Sequence, residues 1–230
     1  MWAEMEMEIL YSVWRSKDMS DVLLNVSATM SRSRANGPGS RAVVWVQGCT
    51  IGCVGCYSSA THPHAASSLI RPSEISEWIL SIPNIEGITF SGGEPFEQAA
   101  AVLETIQTIK EEKGPDFSVF VFTGFELEVL QRSEDDNVLT LLQYIDILSA
   151  GPYDYKLRDE KLLWRGSRNQ SLHFLTQRYS SNQIEKWIAN SPIEEITIRP
   201  DSLEFTGFVG QKSQMLKVAQ EITSRREMEV

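Results

Sequence analysis

Ala42-Val43-Val44-Trp45-Val46-Gln47-Gly48-Cys49-Thr50-Ile51-Gly52-Cys53-Val54-Gly55-Cys56-Tyr57 sets the frame for the whole chain. The valine-rich run Ala42–Val46 is too short for a helix and apolar throughout, which predicts a strand buried on both faces. It leads straight into a loop carrying three cysteines. The same pattern, an apolar run ending in a small-residue turn, recurs three times downstream. Gly87–Phe90 leads into Ser91-Gly92-Gly93-Glu94-Pro95-Phe96, Ser118–Phe122 into Thr123-Gly124, and Ile145–Leu148 into Ser149-Ala150-Gly151-Pro152. Helical signals lie between these strands. Pro72 and Ser73 open a helix over Pro72–Leu80. Residues 97–113 place Ala99, Leu103, Ile106 and Ile109 on one stripe before Gly114-Pro115 stops them. Shorter helices are predicted over Phe125–Gln131 and Val138–Gln143. Strands alternating with helices predict βαβ units. Roughly four to six such units are too few for a closed eight-stranded barrel. The predicted fold class is therefore α/β, a partial (open) βα barrel with a mostly parallel sheet. Ligands are expected beyond the carboxyl ends of its strands.

Outside this rhythm, Val22–Val26 predicts a strand and Ser31–Ser40, with Gly37-Pro38-Gly39, a loop. Residues 153–170 read as a long polar loop and Leu172–Leu175 as a strand. Asn182–Ala189 predicts a helix. Glu195–Ile198 and Leu203–Thr206 predict a hairpin across Arg199-Pro200-Asp201-Ser202. Residues 211–226 predict a terminal helix. The whole of 1–230 reads as a single domain with its core at about 37–152, residues 1–36 and 153–230 being decorations and C-terminal barrel elements.

Composition narrows the functional classes. The chain has 230 residues, of which 42% are hydrophobic and 23% charged, the balance of an ordinary globular domain. Its net charge of −10 argues against a nucleic-acid partner, whose phosphates call for the opposite sign. No run approaches the roughly 20 apolar residues of a membrane helix. Glu4, Glu6 and Glu8 near the start are unlike a secretory signal, so a cytoplasmic setting is expected.

The three cysteines, Cys49, Cys53 and Cys56, are the only ones in the chain. An odd set within eight residues is a poor disulfide framework. The spacing C-x3-C-x2-C lets three thiolates face a common centre, and sulfur favours soft metals and iron–sulfur clusters. Gly48, Gly52 and Gly55 allow the backbone to curl around a bulky group, with amides free to donate to sulfur. A four-ligand cage would be one ligand short, leaving one iron open, as in catalytic metal sites. The alternatives are a structural zinc site, completed by His62 or His64, and unrelated core thiols.

From Gly37-Pro38-Gly39-Ser40-Arg41 through Cys56-Tyr57 the chain resembles the opening motif of radical S-adenosylmethionine proteins. Within them it is most similar to the anaerobic ribonucleotide reductase activating enzymes, which activate a glycyl radical enzyme. Ser58 stands where that subgroup often has Asn. The resemblance implies a [4Fe–4S] cluster on Cys49, Cys53 and Cys56, whose open iron chelates S-adenosylmethionine. It also implies reductive cleavage to a 5′-deoxyadenosyl radical, which abstracts a hydrogen atom, and an electron donor such as flavodoxin. It places Gly92, Gly93 and Glu94 at the methionine amino group, the other reading being a plain β–α turn. Thr123 is a candidate cofactor contact or a helix N-cap. Asp146 has a core role or a cofactor contact.

The family resembles this chain again at Trp164-Arg165-Gly166-Ser167-Arg168-Asn169-Gln170. Together with Lys156, Arg158 and Lys161, this is a basic island on an acidic protein. Arg165 and Arg168, with Arg199, are candidate contacts to a substrate or partner, against the alternative of a solvated loop. His173 is expected to pack within its strand. Residues 1–30 and 153–170 exceed a minimal activase and favour a specialised substrate. Modification of a small molecule or peptide, or a non-enzymatic electron-carrier module, are the alternative functions. No catalytic side chain is assigned.

Overall fold

The computed structural model describes residues 22–192, 194–198 and 203–207. The expected helix over 211–226 and Arg199 lie outside them. Nine strands are described: β1 (Leu24–Ser33), β2 (Arg41–Val46), β3 (Ser68–Ile70), β4 (Gly87–Gly92), β5 (Ser118–Phe122), β6 (Ile147–Ala150), β7 (Ser171–Phe174), β8 (Glu194–Ile198) and β9 (Leu203–Gly207). The helices are α1 (Pro72–Ser81), α2 (Ala99–Lys113), α3 (Leu127–Leu130), α4 (Asp136–Tyr144) and α5 (Ile184–Asn190).

Seven strands form one sheet in the order β3-β1-β2-β4-β5-β6-β7. The central four, β2, β4, β5 and β6, are parallel. Antiparallel strands flank them on both sides, β1 and β3 at one edge and β7 at the other. The sheet is open. The parallel strands advance in one direction, so crossovers of one hand lay their helices on one face. Alternating side chains confirm this arrangement. Ala42, Val44, Val46, Ile88, Phe90, Val119, Val121 and Leu148 pack with Ile75 and Ile79 of α1, Val102 and Ile106 of α2 and Leu141 of α4.

The opposite face carries a smaller aromatic core. Phe120 and Ile147 pack there with Leu163 and Trp164, and Phe174, Tyr179 and Trp187 lie against them. The Trp164 ring meets Phe120 at 5.5 Å and Trp187 at 5.3 Å between centroids. Segment 153–170 is thus no solvated loop, because Leu163, Trp164 and Ser167 are buried. The aromatic side chains supplied from α5 and β7 make that burial favourable.

At the amino ends of the strands the Arg41 guanidinium is fully buried. It donates to Thr89 Oγ1 at 2.9 Å, to the carbonyls of Pro38, Ile88 and Ser118, and to Ser118 Oγ. Asp146 closes the neighbouring corner, accepting from the Val119 amide at 2.8 Å and from Thr176 Oγ1 at 2.6 Å. Asp146 therefore has the core role, remote from the carboxyl ends.

Several boundaries differ from the sequence reading. β1 runs to Ser33, beyond the expected Val26, because it pairs along β2 through two irregularities in register. β6 begins two residues later than expected, since the Asp146 side chain occupies the Val119 amide. The hairpin forms as expected, with Glu194–Ile198 antiparallel to Leu203–Gly207. It docks at the far end of the sheet, where one Glu195 oxygen accepts from Ser33 Oγ and the amides of Arg34 and Ala35.

Candidate functional site

The four parallel strands end on one level, with Val46 opposite Gly92 and Phe122 opposite Ser149. The loops that follow them enclose an open cleft with about 680 Å³ of empty volume. Cys49, Cys53 and Cys56 line it together with Gly92, Gly93, Glu94, Thr123, Ser149, Gly151 and Gln170. Residues separated by about a hundred positions meet here because the sheet's parallel order brings their turns together.

The cysteines are free and partly buried. Burial pushes the thiols of Cys49 and Cys56 up from their ordinary range, against amides that favour the thiolate. The Ile51 and Gly52 amides pull the Cys49 thiol back down against burial, and the Ser58 amide donates to Cys56 Sγ at 3.4 Å. Thiols held apart from water beside such amides suit a cofactor that takes them as thiolates. A structural zinc site would need its ligands to converge within about 2.3 Å of one ion. Among the described residues no three His, Cys, Asp or Glu side chains do so. Three free thiols on one open cleft supply the soft donor set that an iron–sulfur cluster takes.

The turn after β4 is built for close approach. Gly92 has φ +95°, a conformation that side chains disfavour. Gly93 lies against Gly48, immediately before the first cysteine. Its amide donates to Val46 O at 2.8 Å, and the Glu94 amide donates to Gly48 O at 2.8 Å. The Glu94 side chain is 1% exposed and fully engaged. It accepts from the Phe96 amide at 3.0 Å, Thr123 Oγ1 at 2.9 Å and the Gly124 amide at 2.8 Å. Burial pushes its carboxyl up to about 7, against the pull of these three donors. Glu94 thus ties the turn after β4 to the turn after β5. Thr123 lines the cleft, and its hydroxyl accepts from the Phe125 amide at 3.1 Å in a local turn; it is not the helix N-cap, which is Glu126.

Segment 153–170 forms the remaining wall. Gln170, which ends the motif read from the sequence but had no role assigned there, organises it. Its Oε1 accepts from the Gly166 amide at 2.8 Å, and its Nε2 donates to Gly151 O at 2.8 Å. Ser149 Oγ donates to Trp164 O at 2.8 Å. Tyr57 and Tyr153 meet edge to face at 5.4 Å, with the Arg158 guanidinium 4.8 Å over the Tyr57 ring. Arg165 is half-buried and donates to Gln170 O at 3.4 Å, whereas Arg168 is exposed. Neither is among the residues lining the cleft. Of the histidines, His62 lines the cleft and His64 lies over Gly48. His173 sits in β7 as expected.

A family profile described as a 4Fe-4S single cluster domain matches residues 35–173. The anaerobic ribonucleoside-triphosphate reductase-activating protein of Vibrio cholerae is 35% identical over 147 residues, 61% of this chain and 92% of that protein. Its namesake from Haemophilus influenzae is 33% identical over 144 residues, covering 60% and 90%. That of Enterobacteria phage T4 is 32% identical over 140 residues, covering 60% and 85%. A solved structure, QueE from Escherichia coli, aligns over 56% of this chain and 70% of its own at a TM-score of 0.33 and 14% identity, too slight a likeness to bear on the argument. The profile match runs past residue 152, so segment 153–170 belongs to the shared region and is no addition to it.

Proposed function

The chain belongs to the 4Fe-4S single cluster domain family and to the anaerobic ribonucleoside-triphosphate reductase-activating proteins, and from that premise we propose that it is a radical S-adenosylmethionine activase acting on a glycyl radical enzyme. One observation carries the reading. Three free cysteines follow the first parallel strand and face a cleft formed at the carboxyl ends of four such strands, in a chain with no fourth cysteine. In this reading the sheet is the open βα barrel expected from the sequence.

Cys49, Cys53 and Cys56 would hold a [4Fe–4S] cluster. When bound, cluster and S-adenosylmethionine supply reductive cleavage to methionine and a 5′-deoxyadenosyl radical, which takes a hydrogen atom from the substrate. The chain's own residues bind and shield. The Ile51, Gly52 and Ser58 amides stabilise charge on the cysteine sulfurs. Gly92 and Gly93 open the backbone for the methionine end, and Glu94 fixes that turn against Thr123 and Gly124. Tyr57, Tyr153 and Gln170 wall off water on the opposite side. A flavodoxin-like donor would supply the electron. The partner's glycine would enter from the open side, past exposed Lys156 and Arg168 on segment 153–170.

Segment 153–170 lends no support to modification of a small molecule, because it lies within the matched region. Helix α5 and the β8–β9 hairpin lie beyond the matched region, and the hairpin docks on Ser33–Ala35 at the end remote from the cleft. The test compares Cys53→Ala with wild type after anaerobic reconstitution with iron and sulfide. With dithionite and S-adenosylmethionine, wild type is expected to form 5′-deoxyadenosine and the variant none. Wild-type yield from the variant refutes the ligand assignment. Absence of product from a cluster-loaded wild type favours an electron carrier.

A further inference from the structure

Thr50 and Glu97 are 47 positions apart and in contact. Glu97 Oε1 accepts from the Thr50 amide at 2.8 Å and also from its hydroxyl. Glu97 sits on the short 3-10 turn Pro95–Gln98, which follows directly from the Gly93-Glu94 turn. Among the described residues this is the one hydrogen-bonded tether from residues 50–55 to another segment. The rest of that stretch is held locally, by the Cys56 amide on Cys53 O. The second Glu97 oxygen lies 3.7 Å from His64 Nε2, and the His64 ring lies over Gly48. The carboxylate therefore stands between both flanks of the first cysteine.

From this geometry we infer that Glu97 is a positioning residue for the cysteine loop. By anchoring Thr50 it aims the two following amides at Cys49 sulfur, and so governs how tightly the loop holds its cluster and what reduction potential that cluster has. The inference deepens the proposed function and rests on it for the cluster, but the tether itself is a property of the cluster-free chain. Amides directed at cysteine sulfur stabilise the reduced, more negative cluster. A carboxylate fixed nearby acts in the opposite sense. Glu97→Gln keeps an oxygen for Thr50 while removing the charge, whereas Glu97→Ala removes both. The two variants therefore separate anchoring from electrostatics.

The experiment has two arms. In the cluster-free protein, alkylation of Cys49 by iodoacetamide is followed by mass spectrometry. Glu97→Ala should accelerate it about tenfold, the factor set by losing a tether of about 1.4 kcal/mol. Glu97→Gln should stay within about twofold of wild type, and Glu97→Ala/Thr50→Ala should be no faster than Glu97→Ala, because the two residues act as one unit. In the reconstituted protein, iron release to a chelator and the midpoint potential by electron paramagnetic resonance are read. Glu97→Ala should release iron several-fold faster, while Glu97→Gln keeps its iron with a more positive potential. A merely structural role would lower the melting temperature of Glu97→Ala without moving the Glu97→Gln potential. Wild-type alkylation in Glu97→Ala overturns the inference, as does an unchanged Glu97→Gln potential at full iron loading. Accelerated alkylation in a chain whose wild type takes up no iron upholds the tether and defeats the proposed function instead.

Discussion

Gly93→Ala tests whether the turn after β4 and the cysteine loop are one structural unit. A β-carbon added at Gly93 falls 2.8 Å from the carbonyl carbon of Gly48, 3.0 Å from its nitrogen, and closer still to its carbonyl oxygen. Comfortable carbon–carbon contact begins at about 3.5 Å, so the Gly48 backbone must retreat by roughly 0.7–1 Å. The obstacle is backbone rather than a flexible side chain, so no rotamer change relieves it. Retreat of that size breaks the 2.8 Å bond from the Glu94 amide to Gly48 O. Overpacking of this kind costs about 1–3 kcal/mol and the lost hydrogen bond about 1 kcal/mol more. The sum, about 2–4 kcal/mol, should lower the melting temperature of the cluster-free chain by roughly 5–15 °C. Because Gly48 immediately precedes Cys49, iron retained after reconstitution should fall as well. Gly114→Ala is the control. It has φ +82° but nothing within 4 Å of an added β-carbon, so it should lose about 1–3 kcal/mol from backbone strain alone and keep its iron. If Gly93→Ala melts with wild type and binds as much iron, the two turns are not mechanically coupled as argued.

Two further outcomes follow from buried charge. Arg41→Lys should lower stability by about 2–4 kcal/mol in chemical denaturation, since one ammonium cannot serve the acceptors Thr89 Oγ1, Ser118 Oγ and three carbonyls that the planar guanidinium reaches; a loss below about 0.5 kcal/mol would contradict this. Glu94, with its folded carboxyl pushed up to about 7 from 4.5, holds a proton in that window which the unfolded chain has released. Stability from this group is therefore complete below about pH 4.5 and is lost as pH rises through 7, by up to about 3 kcal/mol. Melting of the cluster-free chain from pH 5 to 8 should show this decline, and Glu94→Gln should flatten it.

The parallel strands and their turns were legible because their signals are local. Short apolar runs end in Cys49, Gly92-Gly93, Thr123-Gly124 and Gly151, and all four turns meet at one cleft. The proposed cysteine ligands are read by the same means, since spacing and the absence of a fourth thiol are properties of the string. Less legible was whatever depends on a distant partner. The burial of Trp164 comes from Trp187, 23 positions away and in no common pattern with it. The start of β6 is set by a carboxylate on a neighbouring strand's amide, and the wall near Gly151 by Gln170. Glu97 offers no sequence signal, because an acidic residue in the first turn of a helix is ordinary there. The same contrast explains how the site is held. Short motifs supply the groups that would touch a cofactor, while single side chains bonded to distant backbone amides keep those groups in place. Glu94 holds the Gly124 amide and Glu97 the Thr50 amide, and Gln170 likewise holds the Gly151 carbonyl. Each ties one loop of the cleft to another, so movement at any one of them is transmitted toward the cysteines.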